Sequence, residues 1–297
     1  MWERKNVLVT GGNGLMGGPL CKRLLEAGAM VTVYDTSTRG VLEQMGLLKD
    51  VHFIRDTILA LTRLRGAVRQ QDVVFHLAAI SGVEQSRASK MDAFEVNVRG
   101  TWLVLQACLE EGNQQAIVTA SSNHIYGDHD GEPTLEDSAL RQLDTYSATK
   151  VMADYCARAY AHNYALPIAV VRNTNCYGAN DPHSDHLIPG TILSVMAGEA
   201  PVIRSKGITQ KSYLYVDDVI DAYMRVAEYT MTQKVYGLAF NVSDERVSVN
   251  KLVSLICELM SFDKEPIVLG QANDQADENM DSSLVRNLTR WKPQHTL

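Results

Sequence analysis

The sequence predicts an α/β fold: a doubly wound parallel sheet with a smaller C-terminal lobe interwoven with it. Three features indicate this fold class. A short apolar strand at the N-terminus leads directly into a glycine-rich turn and a helix, strand and helix patterns then alternate to about residue 171, and the alternation loosens after Cys176. Repeated β-α units of this length favour parallel strands joined by right-handed crossovers. We therefore predict a main domain at residues 1–174 and a smaller lobe at residues 175–297, with interleaved segments.

Apolar runs bounded by turn residues predict the strands, and apolar residues at helical spacing predict the helices. The predicted strands of the main domain cover residues 6–10, 30–34, 51–55, 72–77, 117–120 and 168–171. One helix follows the glycine-rich turn and ends near Gly28, and others cover residues 59–68, 90–112 and 145–164. In the smaller lobe we expect strands at residues 201–204, 240–242 and 266–269 and helices at residues 187–196 and 249–260. A further helix is expected to begin at Asp217, whose carboxylate suits an N-cap.

Composition limits the classes of partner. The 297 residues carry a formal net charge of -7, which argues against nucleic acid or an anionic membrane as a partner. The five cysteines are scattered without C-x-x-C or paired metal-ligand spacing, so we predict reduced thiols and no metal site. No apolar run reaches the roughly 18 residues of a membrane-spanning helix, and the chain opens directly on a strand instead of a signal peptide. These observations predict a soluble, cytoplasmic protein.

The glycine-rich turn has the spacing of a dinucleotide-binding motif. Gly12, Gly14 and Gly17 satisfy G-x-G-x-x-G, and Gly11, Gly14 and Gly17 also satisfy G-x-x-G-x-x-G. Such glycines permit a tight turn, close approach of the backbone to pyrophosphate and close helix–strand packing, while the helix N-terminus attracts phosphate. Asp35 ends the second strand, 18 residues after Gly17. A carboxylate there would accept a hydrogen bond from a ribose 2′-hydroxyl and repel a 2′-phosphate, which favours NAD over NADP. A glycine-rich turn without a ligand is the alternative, and the combination of strand, helix and acid disfavours it.

A phenol and an ammonium group are spaced for one face of a helix further along the chain. Tyr146 and Lys150 are four residues apart at the start of a predicted long helix, so their side chains point to the same side. A cation beside the phenol, together with a bound nicotinamide cation, would lower the pKa of the phenol from about 10. A tyrosinate near neutral pH suits a general base for an alcohol that is losing hydride. A purely structural Tyr/Lys pair is the common alternative, and the preceding dinucleotide motif disfavours it.

With these motifs, the sequence resembles the extended short-chain dehydrogenase/reductase family, specifically its nucleotide-sugar epimerases and dehydratases. The resemblance covers nearly the whole chain and is carried by residues 10–17, 55–57, 76–79, 97–101, 121–127, 146–150, 172–178, 187–189, 213–218 and 291–293. It implies that the main domain is a Rossmann domain that binds NAD and that the smaller lobe binds a nucleotide sugar. The implied cofactor contacts are Gly11, Gly14, Leu15, Met16, Gly17, Asp35, Asp56, Thr57, Leu77, Ala78, Ala79, Asn97, Tyr146 and Lys150. The implied substrate contacts are Ser81, Asn175, Leu187, Val202, Arg204 and Lys211, of which Lys211 stands where many relatives have an arginine on the nucleotide diphosphate.

The resemblance also implies roles for the reacting groups. Ser122 would hydrogen-bond the oxygen at C4 of the sugar, Tyr146 would take the proton of the C4 hydroxyl, and Lys150 would grip the nicotinamide ribose. NAD would receive hydride from C4 and return it later, so that no net oxidation occurs.

Asn123 and His124 stand at the positions that decide the fate of the 4-keto sugar. In the epimerases of this family these residues are usually small, and in the 4,6-dehydratases they are an acid followed by a base. His124 suits a base for the C5 proton, whereas Asn123 can only donate a hydrogen bond. His124 could equally hydrogen-bond substrate or backbone. A 4,6-dehydratase is the favoured interpretation; the alternatives are a 4-epimerase, a sugar or uronate dehydrogenase, and a non-catalytic NAD-binding scaffold.

The helices predicted at residues 90–112 and 145–164 are implied by the resemblance to form a four-helix interface in a homodimer. Apolar residues such as Met91, Trp102 and Tyr155 agree with such an interface and equally with burial inside one subunit. The sequence does not identify the nucleotide or the sugar, whose contacts we expect around residues 180–186 and 202–207.

Overall fold

Parallel strands form the centre of the fold, which a computed structural model describes over residues 1–141, 144–271 and 277–297. The strands of these residues are β1 (Asn6–Thr10), β2 (Met30–Asp35), β3 (His52–Arg55), β4 (Val73–His76), β5 (Ala116–Ala120), β6 (Ile168–Asn173), β7 (Asn175–Tyr177), β8 (Val202–Ile203), β9 (Gln210–Tyr215), β10 (Leu238–Val242), β11 (Arg246–Ser248) and β12 (Ile267–Val268). The helices are α1 (Gly17–Glu26), α2 (Val41–Gln44), α3 (Leu61–Val68), α4 (Val83–Ala88), α5 (Lys90–Ala93), α6 (Thr101–Glu111), α7 (Thr145–Tyr164), α8 (Leu187–Met196), α9 (Val216–Gln233), α10 (Val249–Leu259) and α11 (Ser283–Thr289). Short 3-10 turns occupy Leu48–Asp50 and Asn123–Ile125.

The central sheet has seven strands within the described residues, in the order β10-β6-β5-β4-β1-β2-β3, and every neighbouring pair is parallel. The chain therefore moves outward in one direction from β1 to β3 and in the other direction from β4 onward. The order reverses between β1 and β4, and a crevice opens at the carboxyl ends of strands where this happens. The prediction of an α/β fold with a doubly wound parallel sheet is confirmed.

Alternate residues of β1 pack into two apolar cores, one on each face of the sheet. Val7 and Val9 belong to the core that includes residues of α1 and α9. Leu8 belongs to the core that includes residues of α3, α6 and α7. All three side chains are fully buried. A strand that is covered on both faces reads as a continuous apolar run, which is why the sequence pattern of residues 6–10 identifies it so clearly.

The smaller lobe is built from short elements. It contains a three-stranded sheet, β11-β9-β7, and a two-stranded one, β12-β8. Helices α8 and α10 pack together through an apolar cluster that includes Val195, Val253 and Cys257. Several short elements of the protein, β7, β11, α2, α4 and α11, were not predicted, because segments of three to seven residues contain too little periodicity to identify.

Strand β10 belongs to the central sheet, so the sequence-based assignment of residues 240–242 to the smaller lobe is wrong. The strand runs parallel to β6, with Phe240 opposite Val171. A short apolar run carries no information about the strand beside which it lies. The chain thus returns from the smaller lobe to complete the main sheet.

Two helix predictions also need correction. Helix α9 begins at Val216 with Tyr215 as its N-cap, so Asp217 lies in the first turn and does not cap the helix. A carboxylate in the first turn still interacts favourably with the helix dipole. The helix predicted at residues 90–112 consists of α5, a π-helical segment at Phe94–Gly100, and α6. Within the part of the chain that the structure describes, no helix is both long and apolar enough to cross a membrane.

Candidate active site

The crevice at the carboxyl edge of the central sheet widens into a cleft of about 820 Å³ that extends to the smaller lobe. Most residues that the sequence analysis assigned to a site line this cleft: Gly11, Gly14, Leu15, Met16, Gly17, Asp35, Asp56, Thr57, Leu77, Ala78, Ala79, Ser81, Ser122, Asn123, His124, Tyr146, Lys150, Asn175, Leu187 and Lys211. Asn97, Val202 and Arg204 are not among the lining residues. The fold therefore brings together side chains from both lobes.

The glycine-rich turn forms one end of the cleft. Gly11 has a φ of +71°, which favours glycine, and a Cβ there would lie 2.7 Å from the backbone nitrogen of Ala78. A Cβ on Gly17 would meet the backbone of Gly11 and would lie 2.6 Å from the Cα of Gly12. A Cβ on Gly14 would meet only the carbonyl oxygen of Gly11, at 3.4 Å. Gly11 and Gly17 are thus required by the packing of the turn itself, whereas Gly14 has room for a side chain in the protein alone.

Asp35 is held at the cleft wall by backbone donors. Its carboxylate accepts hydrogen bonds from the N–H groups of Asn13, at 3.1 Å, and Ser37, at 3.2 Å. The side chain of Asn13 accepts a hydrogen bond from the N–H of Leu42 and donates one to the carbonyl of Ser37. Asn13 also lines the cleft, and the sequence analysis missed it. Its place inside the glycine-rich turn was the available signal.

The loops after β3 and β4 form the adjoining walls. The carboxylate of Asp56 accepts a hydrogen bond from the N–H of Thr57, at 2.8 Å, and pairs with Arg63 at 3.0 Å. Asn97, in the π-helical segment, exchanges hydrogen bonds with the backbone of Ile80 and donates one to the Thr149 hydroxyl at 2.9 Å. Asn97 is buried and therefore holds the loop after β4 against α7 from behind the cleft wall.

Ser122, Tyr146 and Lys150 meet where β5 and α7 face the cleft. The hydroxyl of Ser122 donates a hydrogen bond to the amide oxygen of Asn123, at 3.2 Å, and lies close enough to the Tyr146 phenol to act on its pKa. The ammonium group of Lys150 donates to the carbonyl oxygen of Ala120, at 3.0 Å. Helix α7 is thereby fixed to the end of β5, and the Asp144 carboxylate caps the helix through the N–H of Ser147.

Burial has the largest effect on the pKa values of Tyr146 and Lys150. It raises the pKa of Tyr146, and the nearby Ser122 hydroxyl has a smaller, lowering effect. Burial lowers the pKa of Lys150 to about 8, against the opposing charge of Asp154. In the protein by itself the pKa of Tyr146 is raised and not lowered as predicted, because the loss of hydration outweighs the other influences on the phenol. The further lowering predicted for the NAD-bound protein stays a prediction.

His124 lies beside the phenol of Tyr146, with 5.9 Å between ring centroids and the rings edge to face. Burial lowers the pKa of His124, although the carboxylate of Glu278 opposes this effect. The imidazole is therefore neutral near pH 7 and able to accept a proton. The amide nitrogen of Asn123 is buried and has no hydrogen-bond partner within the described residues, and Asn123 lines the cleft. A buried donor without an acceptor is costly unless a ligand supplies one.

Asn175 and Lys211 meet at the end of the cleft formed by the smaller lobe. Both bind Glu278: the Asn175 amide donates to its carboxylate at 2.7 Å, and the Lys211 ammonium lies 3.5 Å from it. The sequence analysis missed Glu278, since it lies in a polar segment without a motif.

Val202 and Arg204 are exposed on the smaller lobe. No group of side chains in residues 1–141, 144–271 and 277–297 could hold a metal ion.

Comparisons with known proteins agree with this geometry. Residues 7–242 match the model of the NAD dependent epimerase/dehydratase family. A curated relative, the trifunctional UDP-glucose 4,6-dehydratase/UDP-4-keto-6-deoxy-D-glucose 3,5-epimerase/UDP-4-keto-L-rhamnose-reductase of Arabidopsis thaliana, is 28% identical over 276 residues. This match covers 88% of the chain but only 40% of the plant protein, so the chain spans less than half of that relative's length.

Two further relatives match over most of their own length. The dTDP-glucose 4,6-dehydratase of Shigella flexneri is 28% identical over 326 residues, which cover 98% of this chain and 89% of that protein. Among solved structures, the UDP-glucose 4-epimerase of Thermotoga maritima with UDP-glucose has a TM-score of 0.88 and 26% sequence identity. The alignment covers 98% of this chain and 94% of that chain.

Proposed function

The chain belongs to the NAD-dependent epimerase/dehydratase family, and from this premise we propose that it is a nucleotide-sugar 4,6-dehydratase that acts through transient oxidation of the sugar at C4. The observation that carries the proposal is the position of the half-buried imidazole of His124, whose ring centroid lies 5.9 Å from that of the Tyr146 phenol. A 4,6-dehydratase needs a second base close to the first, because C5 is the neighbour of C4 in the sugar ring.

The glycine-rich turn and the ends of β2 and β4 fit NAD. Side chains at Gly11 and Gly17 would collide with the backbone. The turn therefore has no side chain at these two positions, which lie at the end of the cleft where α1 begins. A helix N-terminus at this point favours phosphate. Asp35 would accept the hydrogen bond of the adenosine ribose, and Tyr146 and Lys150 would lie at the nicotinamide end. NAD, when bound, supplies a reversible hydride acceptor and a positive charge near the phenol.

The oxidation half of the reaction requires a proton acceptor at the C4 hydroxyl. Tyr146 takes this proton, and the nearby Ser122 hydroxyl would stabilise the phenolate by turning its hydrogen from the amide oxygen of Asn123 to the phenol oxygen. Lys150 remains anchored to the carbonyl of Ala120, which fixes its position one helical turn after Tyr146. Because burial holds the pKa of Tyr146 above its ordinary value, the proton leaves the phenol only when positive charge is nearby.

The elimination half uses the two residues that follow Ser122. The C4 ketone acidifies the C5 hydrogen, and neutral His124 takes this proton. The C6–oxygen bond breaks as the C5–C6 double bond forms, and the imidazolium of His124 gives its proton to the departing oxygen, so that one water molecule leaves. The hydride taken from C4 would then return to C6, and His124, reprotonated from solvent, would return a proton to C5, so that the net change is the loss of one water. Asn123 has no acidic proton, but its unpaired amide nitrogen is a hydrogen-bond donor for the C6 oxygen.

Mass spectrometry tests the proposal directly. We expect the NAD-loaded protein, incubated with UDP-, dTDP-, GDP- and CDP-hexoses, to convert at least one of them to a product lighter by one water. A product of unchanged mass would instead establish a 4-epimerase, the second candidate, which the similarity to the Thermotoga maritima epimerase favours. Stoichiometric release of NADH would indicate a net dehydrogenase, and absence of any product would indicate a scaffold.

A matched variant tests the role of His124. His124→Gln keeps a polar side chain of similar size but removes the base. We expect it to slow water loss and deuterium incorporation at C5 in heavy water in parallel, each by about 100-fold. Unchanged incorporation would assign the C5 proton to another residue.

A homodimer is part of the same proposal. Met91, Trp102 and Tyr155 lie on α5, α6 and α7, and their side chains are 81%, 46% and 55% exposed. Three large apolar side chains on adjoining helices suit an isologous interface. We expect Met91→Glu to shift the protein toward the monomer in light scattering, whereas Leu259→Glu on the smaller lobe should not.

The five free cysteines support the predicted location in a reducing compartment, the cytoplasm.

A further inference from the structure

Glu278 is attached firmly to the smaller lobe, close to the end of the cleft. Its backbone N–H donates to the carbonyl of Gln210 at 2.9 Å, and the N–H of Gln210 donates to the carboxylate of Asp277 at 2.8 Å. On the other side, the Thr134 N–H donates to the carbonyl of Asn279, at 2.7 Å. The segment that carries Glu278 is therefore bonded to β9 and to the loop that follows the residue pair Asn123 and His124.

The Glu278 carboxylate engages the polar groups that the sequence analysis assigns to the substrate. One oxygen accepts a hydrogen bond from the amide of Asn175, at 2.7 Å, and the other lies 3.5 Å from the ammonium nitrogen of Lys211. The side chains of Lys211 and Glu278 are only 16% and 14% exposed. At this burial their charges are weakly screened by solvent.

We propose that Glu278 is a built-in counter-anion that competes with the substrate diphosphate for Asn175 and Lys211 and thereby sets the affinity of the enzyme for charged nucleotides. This inference rests on the proposed function, because it takes the substrate to be a nucleoside diphosphate sugar. The Glu278 carboxylate offers Asn175 and Lys211 a negatively charged oxygen acceptor. A phosphate would offer them the same kind of acceptor.

The electrostatic consequence follows from the charges at this end of the cleft. Lys211 contributes one positive charge and Glu278 cancels it. Asp185 and Asp181, of which Asp181 pairs with His186, also line the cleft. A diphosphate that enters must therefore share Lys211 with a carboxylate that repels it. Such repulsion lowers affinity for the diphosphate and favours release of the product nucleotide.

Equilibrium binding of plain nucleotides to the NAD-loaded protein tests the inference. We would titrate UDP, dTDP, GDP and CDP into the wild type and into Glu278→Gln, which keeps an acceptor for Asn175 but removes the charge. Removing one negative charge near a diphosphate should tighten its binding about tenfold at low salt. For the corresponding monophosphates the gain should be smaller, because fewer charges are repelled. A merely structural role for Glu278 predicts no dependence on the number of phosphates.

Two controls separate the proposed competition from a general change in charge. Glu132 is exposed and lines a second, smaller cavity that Glu278 also lines. Glu132→Gln makes the same change in net charge, and we expect less than a twofold effect on nucleotide affinity. In the Lys211→Gln background, the gain from Glu278→Gln should shrink, because the two residues act on the same site. Equal gains in both backgrounds would overturn the competition.

The outcomes distinguish the inference from the function on which it rests. If the wild type binds a nucleoside diphosphate and Glu278→Gln binds it no more tightly, Glu278 is not a competitor and the proposed function stands. A slower turnover with a shifted pH profile and unchanged nucleotide affinity would assign Glu278 to His124 instead, and would also overturn the inference. If no nucleoside diphosphate binds to either protein, both the function and the inference fail.

Discussion

Arg172 and Asp154 form a two-pronged ion pair, with both nitrogen–oxygen distances at 2.9 Å and neither side chain exposed. The pair connects β6 to α7, the helix that carries Tyr146 and Lys150. Arg172 also donates to the phenol oxygen of Tyr126 and to the carbonyl of Glu136. Because the Asp154 charge opposes the effect of burial on Lys150, the pair influences both the position and the protonation of that lysine.

Asp154→Asn should destabilise the protein by about 3 kcal/mol, because it leaves the Arg172 charge buried without its partner. Urea unfolding followed by circular dichroism measures this change. Asp221→Asn is the matched control: it removes a carboxylate that pairs with Arg225 near the surface, where we expect a loss below about 1 kcal/mol. Similar losses for the two variants would contradict the role given to the buried pair.

Tyr146→Phe should lower kcat by about 1,000-fold, because the substrate C4 hydroxyl loses its proton acceptor. NAD affinity should change little, since the ring and the neighbouring Lys150 contact with Ala120 remain. Fluorescence titration of NAD and product analysis by mass spectrometry give the two quantities. Turnover at the wild-type rate would remove Tyr146 from the proposed mechanism.

Substitutions in the glycine-rich turn should separate packing from cofactor approach. Gly17→Ala places a Cβ against the backbone of Gly11 and Gly12 and should destabilise the fold by about 1–3 kcal/mol. Gly14→Ala meets only one atom, at 3.4 Å, so the unfolding free energy should stay within about 0.5 kcal/mol of the wild type. We nevertheless expect Gly14→Ala to weaken NAD binding about tenfold, since the methyl group obstructs the pyrophosphate. Unfolding and NAD titration check the two effects, and a stable Gly17→Ala protein with wild-type affinity would contradict this account of the turn.

Stability should depend on pH through His76. Its ring is buried between the hydroxyl groups of Thr10 and Thr101, at 2.7 and 2.9 Å, and burial lowers its pKa to about 3. The unfolded chain therefore binds a proton near pH 6.5 that the folded protein does not bind until about pH 3. Above the pKa of His76 in the unfolded chain, the neutral ring makes its full contribution to the free energy of unfolding. This contribution falls by about 1.4 kcal/mol per pH unit as the pH drops from that pKa toward the pKa in the folded protein.

Unfolding free energies of wild type and His76→Gln at pH 4 to 7 measure this contribution. We expect the variant to be less stable at pH 7 and to lose about 1.4 kcal/mol less per pH unit below pH 6. His162→Gln, at an exposed position of α7, should keep the slope of the wild type. Parallel pH curves for wild type and His76→Gln would show that His76 does not titrate on unfolding.

Local patterns in the sequence were sufficient to predict six strands of the central sheet and the glycine-rich turn, whereas most other residues assigned to the cleft were implied by the family resemblance. Val7, Leu8 and Val9 form an unbroken apolar run because both faces of β1 are buried, and the glycine spacing follows from backbone contacts between Gly11 and Gly17 that leave no space for a side chain. Short segments were less informative. The sequence did not indicate that residues 240–242 lie beside β6, since the run is apolar in either lobe.

By itself, the sequence determined the fold class, the dinucleotide-binding turn and the family, because each depends on residue types at fixed short spacings. Only the tertiary structure decided that Glu278 binds Asn175 and Lys211, that Asn97 lies behind the cleft wall, and that burial raises the pKa of Tyr146. The reason is physical: hydration and Coulomb interaction depend on distances between residues that are far apart in the chain. Glu278 is about 100 residues from Asn175, and no local pattern encodes their 2.7 Å contact.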